Sequence, residues 1–268
     1  MDIKGKRVLI TGGSSGIGFA LAAVLGHKGA RLVITGRRAD VVMGAAASLR
    51  KAGVECFPVV ADVSTEAGRE ATIAGALEGL GGIDVLVNNA GGVRAGKLEI
   101  TTEAEIRAMI EVDLVAPILL TRLALVHLRK SPRGLIINVA SGIALIGMPF
   151  YTTYAAAKAG LARFGEALRR ELIGDDIHVL TVYPGATDTP MMRTSHAGPE
   201  LGFTRESARE VADAIAAGIE DDAWEIIRGG EARSQMIALN RDDPAALDAR
   251  IAGIKDALAE AVRDHAAL

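Results

Sequence analysis

The most reactive pair in the sequence is a tyrosine and a lysine that share one helix face. Tyr154 and Lys158 stand four residues apart, a spacing that brings two side chains together on a helix. An ammonium beside a phenol stabilises the phenolate, so the spacing predicts a lowered tyrosine pKa and a proton shuttle near neutral pH. Tyr151 cannot take this role, because Ala155 occupies the position where its lysine would stand. Ser141 follows an apolar strand 13 residues before Tyr154, where its hydroxyl could hold a carbonyl oxygen.

A glycine-rich turn near the N-terminus predicts a second functional region. The turn follows the first apolar run and opens the first helical pattern, which is where a dinucleotide's pyrophosphate binds in alternating folds. Glycines allow the tight turn and close backbone approach, and the helix N-terminus offers free N–H groups to phosphates. An ordinary turn is the alternative. The residues of the turn expected to bind cofactor are Gly12, Ser14, Ser15, Gly16, Ile17 and Gly18.

The end of the second strand indicates which dinucleotide binds. NAD sites usually carry an acid there for the ribose hydroxyls, whereas this sequence has Arg37 and Arg38 after Gly36. A guanidinium pairs bidentately with phosphate oxygens, which favours the 2′-phosphate of NADP over NAD. A solvated helix start is the alternative for the two arginines. Asp40 comes later and is predicted to cap the second helix.

Two further segments follow strands at the expected cofactor edge. Asp62 ends the third strand, where it could accept from an adenine amino group or cap the next helix. Asn89, Ala90 and Gly91 follow the fourth strand, at the edge where ligands bind in open parallel sheets. A plain turn uses the same residue types.

Alternation of strands and helices predicts how these residues are positioned. Short, uniformly apolar runs indicate strands buried on both faces, and the patterns between them indicate crossover helices. We therefore expect an α/β fold with a doubly wound, Rossmann-like parallel sheet of about seven strands and helices on both faces. The expected strands are 6–11, 31–36, 54–60, 83–88, 134–140, 177–183 and 224–228, and the expected helices are 17–28, 40–52, 65–80, 103–129, 155–173 and 205–219.

Residues 1–268 are predicted to form one domain, with 185–206 as a substrate lid and an extra C-terminal helix over 243–265. Asp243 is the expected N-cap of that helix and Pro244 its first residue. Its apolar stripe could dock on the chain's own core or on a second subunit. The stripe consists of Leu247, Ile251, Ile254, Leu258 and Val262.

Composition excludes several classes of protein. The 268 residues carry a formal net charge of −3, which gives no basic field for nucleic acid or an anionic membrane. A hydrophobic fraction of 50% excludes intrinsic disorder. Cys56 is the only cysteine, which excludes an intrachain disulfide or a multi-cysteine metal site, and we expect no metal. Residues 134–157 lack charge, but their polar residues and proline indicate a buried strand, a loop and a helix start, so the protein is expected to be cytoplasmic.

Taken together, these motifs resemble one family, the short-chain dehydrogenase/reductases in their short single-domain branch. The resemblance runs from about Lys6 to Met191. It implies that Ser141, Tyr154 and Lys158 are catalytic. It also implies cofactor contacts by Asp62-Val63, by the Asn88-Asn89-Ala90-Gly91 motif, by Pro184-Gly185 and by Thr187 and Thr189.

The sequence departs from the family's pattern in three places. Asp113 stands where the family has a catalytic asparagine; its alternative is a surface acid in mid-helix. The last strand reads Trp224 to Gly230 without the usual glycine-rich pattern, and the terminal helix is extra. The last two features resemble a bacterial subgroup named for D-alanine esterification. The resemblance implies a homo-oligomer, and these departures leave a dimer or a tetramer open.

The implied activity is hydride transfer between NADP(H) and a carbonyl or secondary alcohol, with Tyr154 as general acid/base. Alternatives are a non-catalytic NADP-binding regulatory or scaffold protein and a sugar-nucleotide epimerase or dehydratase. The expected substrate is a small, apolar ketone or alcohol. Its predicted pocket comprises Gly142–Met148, Tyr151, Val93, Arg94 and Met191–Phe203, with His196 the only histidine of interest.

Overall fold

A seven-stranded parallel sheet forms the centre of the protein, as described by a computed structural model of residues 1–268. Its spatial order is β7-β6-β5-β4-β1-β2-β3, so the chain reverses direction across the sheet next to β1. Ligands of open parallel sheets bind at the carboxyl ends of the strands beside such a reversal. The strands are β1 (Arg7–Thr11), β2 (Arg31–Gly36), β3 (Cys56–Val60), β4 (Val85–Asn88), β5 (Gly134–Val139), β6 (Ile177–Tyr183) and β7 (Glu225–Ile227).

The central strands are buried on both faces, which explains their uniformly apolar sequences. Every residue of β4 and β5 is buried. The predicted strands β2 and β6 match the structure to the residue, and the others differ by one or two residues at an end. The sequence-based prediction of an α/β fold with about seven parallel strands is confirmed.

Helices cover both faces of the sheet. Side chains of α1, α2 and α7 pack on one face, and those of α3, α5 and α6 pack on the other. The helices are α1 (Gly16–His27), α2 (Ala39–Lys51), α3 (Glu66–Leu80), α4 (Glu103–Ile110), α5 (Ala116–Leu128), α6 (Thr152–Glu171), α7 (Ala208–Glu220), α8 (Gly230–Asp242), α9 (Pro244–Ala252) and α10 (Lys255–Ala261).

The helix predicted over 103–129 contains a break that its sequence pattern does not reveal. A π-helical turn, Glu111–Val115, separates α4 from α5. Such turns insert one residue into the helical repeat and occur frequently at functional sites. Here the turn places Asp113 in the interior of the protein, with 0% of its surface exposed.

The single helix predicted over 243–265 is wrong. Asp243 caps α9 through Ala246 N–H and Pro244 is its first residue, as predicted, but the helix ends at Ala252 and α10 begins only at Lys255. Gly253 lies in the break, and glycine has a low propensity for a helix interior. A further helix, α8, precedes α9 and was not predicted.

The C-terminal apolar stripe docks on the chain's own body. Leu247, Leu258 and Val262 are buried, and the last two pack with Val93 and Tyr151. Of the two partners considered from the sequence, the structure therefore shows the intramolecular one.

Two short ladders complete the carboxyl edge of the sheet. Ala266–Ala267 pairs antiparallel with Val93–Arg94, which returns the end of the chain to this edge. Ala186–Asp188 pairs with Arg205–Ser207, so residues 205–207 belong to a strand rather than to the start of α7 as predicted.

No helix of the protein is long and apolar enough to cross a membrane. The uncharged stretch 134–157 contains β5, a loop with one 3₁₀ turn and the first residues of α6, as interpreted from the sequence.

Candidate active site

A deep cleft of about 1060 Å³ opens at the carboxyl edge of the sheet. It runs from the glycine-rich turn to the C-terminal segment. Of the residues predicted to be catalytic or to bind cofactor, all line it except Gly18 and Asp113, which lie directly behind its wall, and Asn88, which is buried. The lining residues from that set are Gly12, Ser14, Ser15, Gly16, Ile17, Arg37, Arg38, Asp62, Val63, Asn89, Ala90, Gly91, Ser141, Tyr154, Lys158, Pro184, Gly185, Thr187 and Thr189.

Tyr154 and Lys158 lie together in the first half of α6, as their spacing predicts. The Lys158 ammonium is 5.8 Å from the centre of the Tyr154 ring, and it donates to the carbonyl of Val139 at 3.1 Å. Ser141 follows β5, and its hydroxyl accepts from the backbone N–H of Ile143 at 3.3 Å. The cleft thus presents a phenol, an ammonium and a hydroxyl at one place.

Asp113 forms a buried ion pair with the lysine. Its Oδ1 lies 3.0 Å from Nζ of Lys158, and both carboxylate oxygens accept from the backbone N–H of Gly92 at 3.3 and 3.4 Å. Burial raises the pKa of the Asp113 carboxyl, whereas the carboxylate raises the pKa of Lys158 despite its burial. The alternative of a surface acid in mid-helix is therefore wrong, because the π turn carries the side chain inward.

The pKa of Tyr154 differs from the sequence-based expectation. Burial raises it and outweighs the attraction of Lys158, which lowers it as predicted, and the Asp113 carboxylate also disfavours the phenolate. The net result is a Tyr154 pKa above its ordinary value. The phenol is accordingly held in its protonated form, which suits a proton donor at neutral pH.

The glycine-rich turn has a backbone conformation that would allow a ligand to approach the main chain closely. Gly12 and Gly16 have φ of +62° and +54°, a conformation that side chains disfavour. A methyl group on Gly12 would lie 2.9 Å from the Cα of Ala90, so the turn packs directly on the segment after β4. The hydroxyl of Thr11 accepts from Asn89 and Ala90 N–H at 3.0 Å, which fixes this packing.

The first turn of α1 keeps its N–H groups available. Ser15 is the N-cap residue, and its side chain makes no capping hydrogen bond. Gly18 packs too tightly for any side chain, since a methyl group there would lie 2.4 Å from the amide nitrogen of Asn89. Thr189 borders Gly16 from the opposite side of the cleft, because a methyl group on Gly16 would lie 3.0 Å from Cγ2 of Thr189.

Arg37 and Arg38 are exposed at the end of β2 and line the cleft. Gly36 brings this strand end close to the glycine-rich turn, because a methyl group there would lie 3.1 Å from Oγ of Ser14. The prediction that Asp40 caps α2 is wrong: Arg38 holds the N-cap position and Asp40 lies in the first turn.

Asp62 does not cap the helix after β3. Thr65 is the N-cap of α3, and Asp62 instead accepts from the backbone and hydroxyl of Ser64 at 3.0 and 2.7 Å. In the segment after β4, Asn89 to Gly91 line the cleft. Asn88 is instead buried, and its side-chain amide donates to Asn138 of β5 at 2.9 Å.

Part of the predicted substrate pocket does not line the cleft, namely Arg94, Gly142 and residues 144–147 and 193–199. Arg94 is held by an ion pair with Glu105 at 3.1 Å and does not line the cleft. His196 is exposed outside it, whereas His265 is buried in its wall and contacts Thr194 Oγ1 at 3.1 Å. Burial lowers the pKa of His265 to about 4, so its ring is neutral at physiological pH.

Sequence reasoning missed the contribution of the C-terminal region to the cleft. No motif marks these residues, because the pairing of Ala266–Ala267 with Val93–Arg94 spans only two residues on each side. The lining residues not predicted from the sequence include Arg233, Met236, Leu247, Arg250, Ile251, Ile254, His265, Ala267 and Leu268.

Known proteins resemble both the sequence and the structure. A family model described as short chain dehydrogenase matches residues 6–200. Ketoacyl reductase HetN of Nostoc sp. is 30% identical over 253 residues, which cover 92% of this chain and 88% of that protein.

Two solved structures share the fold and carry a dinucleotide. A short chain dehydrogenase from Burkholderia cenocepacia in complex with NADP has a TM-score of 0.79 and 31% identity, covering 86% of this chain and 98% of that one. A 3-ketoacyl-(acyl-carrier-protein) reductase from Brucella melitensis complexed with NADH has a TM-score of 0.78 and 27% identity, covering 85% and 98% of the two chains.

Proposed function

This chain belongs to the short-chain dehydrogenase/reductase family, and we propose that it transfers a hydride between NADP(H) and a carbonyl or secondary alcohol with Tyr154 as general acid/base. Membership makes it an NAD(P)-dependent oxidoreductase that acts on carbonyl or alcohol substrates. The observation that carries the proposal is the junction of Tyr154, Lys158 and Ser141 in one cleft with the glycine-rich turn.

The glycine-rich turn and its neighbours fit a dinucleotide. The free N–H groups at the start of α1 and the positive end of its dipole suit a pyrophosphate, and Gly12 and Gly16 leave no side chain in its way. Asp62 and Val63 would contact the adenine, and Pro184 to Thr189 would contact the nicotinamide amide. When bound, the nicotinamide supplies or accepts the hydride.

Side chains of the protein bind the carbonyl oxygen of the substrate and transfer the proton. The hydroxyls of Ser141 and Tyr154 bind the carbonyl oxygen, and Tyr154 gives its proton to that oxygen as the carbonyl carbon is reduced. Lys158 then stabilises the phenolate that remains, and Asp113 and the Val139 carbonyl fix the lysine in place. In alcohol oxidation the same groups act in reverse.

Asp113 is a positioning residue whose charge sets the pH dependence. In Asp113→Asn the repulsion between the carboxylate and the phenolate is lost, so the pKa of Tyr154 falls. Alcohol oxidation needs the phenolate and rises with pH through that pKa. Its midpoint is therefore expected at a lower pH than in the wild type. The measurement is kcat/KM for oxidation against pH, with Asp213→Asn, on the exposed face of α7, as control. A midpoint that stays in place or rises would refute this role.

NADP is the proposed cofactor over NAD, because Arg37 and Arg38 lie at the ribose end of the cleft without an acid. We expect NADPH to bind the wild type more tightly than NADH. Replacing both arginines by alanine is expected to weaken NADPH at least about 10-fold and NADH less than about twofold. Titration of protein fluorescence or calorimetry measures both affinities, and Arg122→Ala, at an exposed position of α5, is the control. Equal or tighter NADH binding by the wild type would overturn the preference.

The substrate half of the cleft is largely apolar. Its wall includes Ile143, Met148, Tyr151, Met191, Leu201, Phe203, Ile251, Ile254 and Leu268. This surface supports the predicted preference for a small, apolar ketone or alcohol, and ketoacyl compounds enter the substrate panel because HetN and the Brucella protein carry that name. Residues 185–206 form the proposed lid over this half, within the one domain predicted for the chain.

A carbonyl and alcohol panel with NADPH and NADH tests the proposed function. Turnover of any member that depends on Tyr154 supports it. Tight NADPH binding without turnover of any carbonyl or alcohol would favour the non-catalytic alternative instead. The homo-oligomer stays a prediction, and the resemblance to the D-alanine esterification subgroup has no support from the relatives named above.

A further inference from the structure

Arg233 lies against Gly142, the residue after Ser141, although no sequence motif marks it. It belongs to the first turn of α8 and lines the cleft. A methyl group built on Gly142 would lie 3.1 Å from Cζ of Arg233. Arg233 and Ser141 both line the cleft, so the guanidinium shares this part of the cleft with the proposed catalytic residues.

The Arg233 guanidinium has no partner within the chain. It is half-buried, takes part in no ion pair or side-chain hydrogen bond, and burial alone lowers its pKa. The acids near it are engaged elsewhere. Glu206 pairs with Arg228 at 2.8 Å, and Glu231 accepts from Gln235 at 3.0 Å.

The other charged groups of the substrate half do not neutralise it. Glu200 lines the cleft but is exposed and forms no ion pair with Arg233, and Arg250, also exposed, carries the same charge as Arg233. Lys158 is already paired with Asp113. Within the cleft interior, Arg233 is therefore the uncompensated charge, and a half-buried guanidinium without a partner costs free energy that a bound anion would recover.

The walls of the substrate half offer Arg233 no counter-charge of their own, since they are largely apolar. An entirely apolar substrate would therefore leave the Arg233 guanidinium without a partner in the cleft.

We propose that Arg233 binds an anionic oxygen group of the substrate, a carboxylate or a phosphate, and so selects acidic carbonyl compounds and the corresponding hydroxy compounds. The proposal rests on the proposed function and changes the expected substrate from an apolar ketone to one with an apolar body and an acidic group. A guanidinium suits either anion because its planar fork donates two parallel hydrogen bonds.

Matched pairs of substrates test the proposal. Keto acids with the carboxylate at different distances from the carbonyl are compared with their methyl esters, and a phosphorylated ketone with its dephosphorylated form. We expect the wild type to favour the anionic member of at least one pair by about 10- to 100-fold in kcat/KM. The pair that shows the preference identifies carboxylate or phosphate, and high salt should weaken it.

Variants assign the preference to this residue. Arg233→Met is expected to abolish it, Arg233→Lys to keep part of it, and Arg122→Met to leave it unchanged. NADPH affinity should stay within about twofold in all three. Because an unpaired, half-buried charge is removed, Arg233→Met should unfold at the same temperature as the wild type or a higher one.

Three results would overturn the proposal. The first is equal turnover of acid and ester, or of phosphorylated and neutral ketone, by the wild type, which leaves the proposed function intact. The second is an undiminished preference in Arg233→Met. The third is a large loss of NADPH affinity in that variant with the preference retained, which would place Arg233 in the cofactor site. Absence of turnover with every carbonyl and alcohol would instead overturn the proposed function itself.

Discussion

Tyr154→Phe is expected to lower kcat by about 10²–10⁴-fold while NADPH affinity changes less than about twofold. The substitution removes one oxygen and keeps the ring, which contacts Tyr151 at a centroid distance of 6.4 Å. We expect cofactor binding to depend mainly on the glycine-rich turn and on Arg37 and Arg38 at the other end of the cleft. The loss should therefore appear in turnover rather than in binding.

The size of this effect follows from the role of the hydroxyl. Without it, we expect the proton to reach the carbonyl oxygen only slowly, because neither neighbouring group is proposed to release one. Ser141 remains as a hydrogen-bond donor, and Lys158 is held by Asp113 and the Val139 carbonyl. General acid catalysis of this kind contributes about 10²–10⁴ in rate, and the variant should retain only what binding and orientation supply.

The other two tyrosines provide controls for the same measurement. Tyr183→Phe removes a phenol hydroxyl that contacts Glu225 at 3.3 Å outside the cleft, and it should leave kcat within about twofold. Tyr151→Phe should also leave kcat within about twofold, since Tyr151 has no lysine one turn later. Single-turnover rates with saturating NADPH measure all three variants. Undiminished turnover in Tyr154→Phe would refute the catalytic assignment.

The sheet and the proposed cofactor-binding end of the cleft, from the glycine-rich turn to Arg38, could be predicted because short segments of sequence determine them. Strands buried on both faces must be apolar throughout. The ends of an apolar run such as Arg31–Gly36 therefore predict the ends of the strand. The carboxyl ends of parallel strands meet at one edge of the sheet. Gly12, Arg37 and Asn89 each follow a strand, so their proximity in the cleft could be predicted before any contact between them was seen.

The substrate end was less predictable because its causes are distant in sequence. The π turn at Glu111–Val115 has no distinct residue pattern, so the sequence left the burial of Asp113 open. Arg233 reaches the cleft only because α8 starts beside β7, and the C-terminal segment reaches it through a two-residue ladder. An arginine in an unpredicted helix is indistinguishable in sequence from a solvated one.

The proposed cofactor-binding end and the proposed catalytic end of the cleft also differ in whether their charges are paired within the protein. The cofactor end presents exposed arginines and backbone N–H groups, which need no compensation within the protein. The catalytic end buries Lys158, with only 4% of its surface exposed, and compensates it with Asp113. A buried charge with one partner makes the stability of the protein depend on both members of the pair.

Lys158→Met is therefore expected to abolish turnover and to lower the free energy of unfolding at pH 7 by about 3–5 kcal/mol. The substitution leaves the Asp113 carboxylate buried with only the N–H of Gly92 as a partner. The double variant Asp113→Asn/Lys158→Met removes that uncompensated charge. It should recover most of the stability and none of the turnover, because the phenolate of Tyr154 still lacks its ammonium.

The pH dependence separates charge from packing in this comparison. Burial raises the folded-state pKa of Asp113 above its ordinary value of 3.8, so the folded state binds the proton more tightly than the unfolded chain. Without Lys158 the pKa of Asp113 rises further, so the deficit of Lys158→Met relative to the wild type should be small below the raised wild-type pKa and grow as pH rises from there toward the higher pKa of the variant. The double variant should lack this change. Urea unfolding at a series of pH values measures the free energy of unfolding of both variants. A deficit that is equal at all pH values, or that persists in the double variant, would show that lost packing rather than an unpaired Asp113 is the cause.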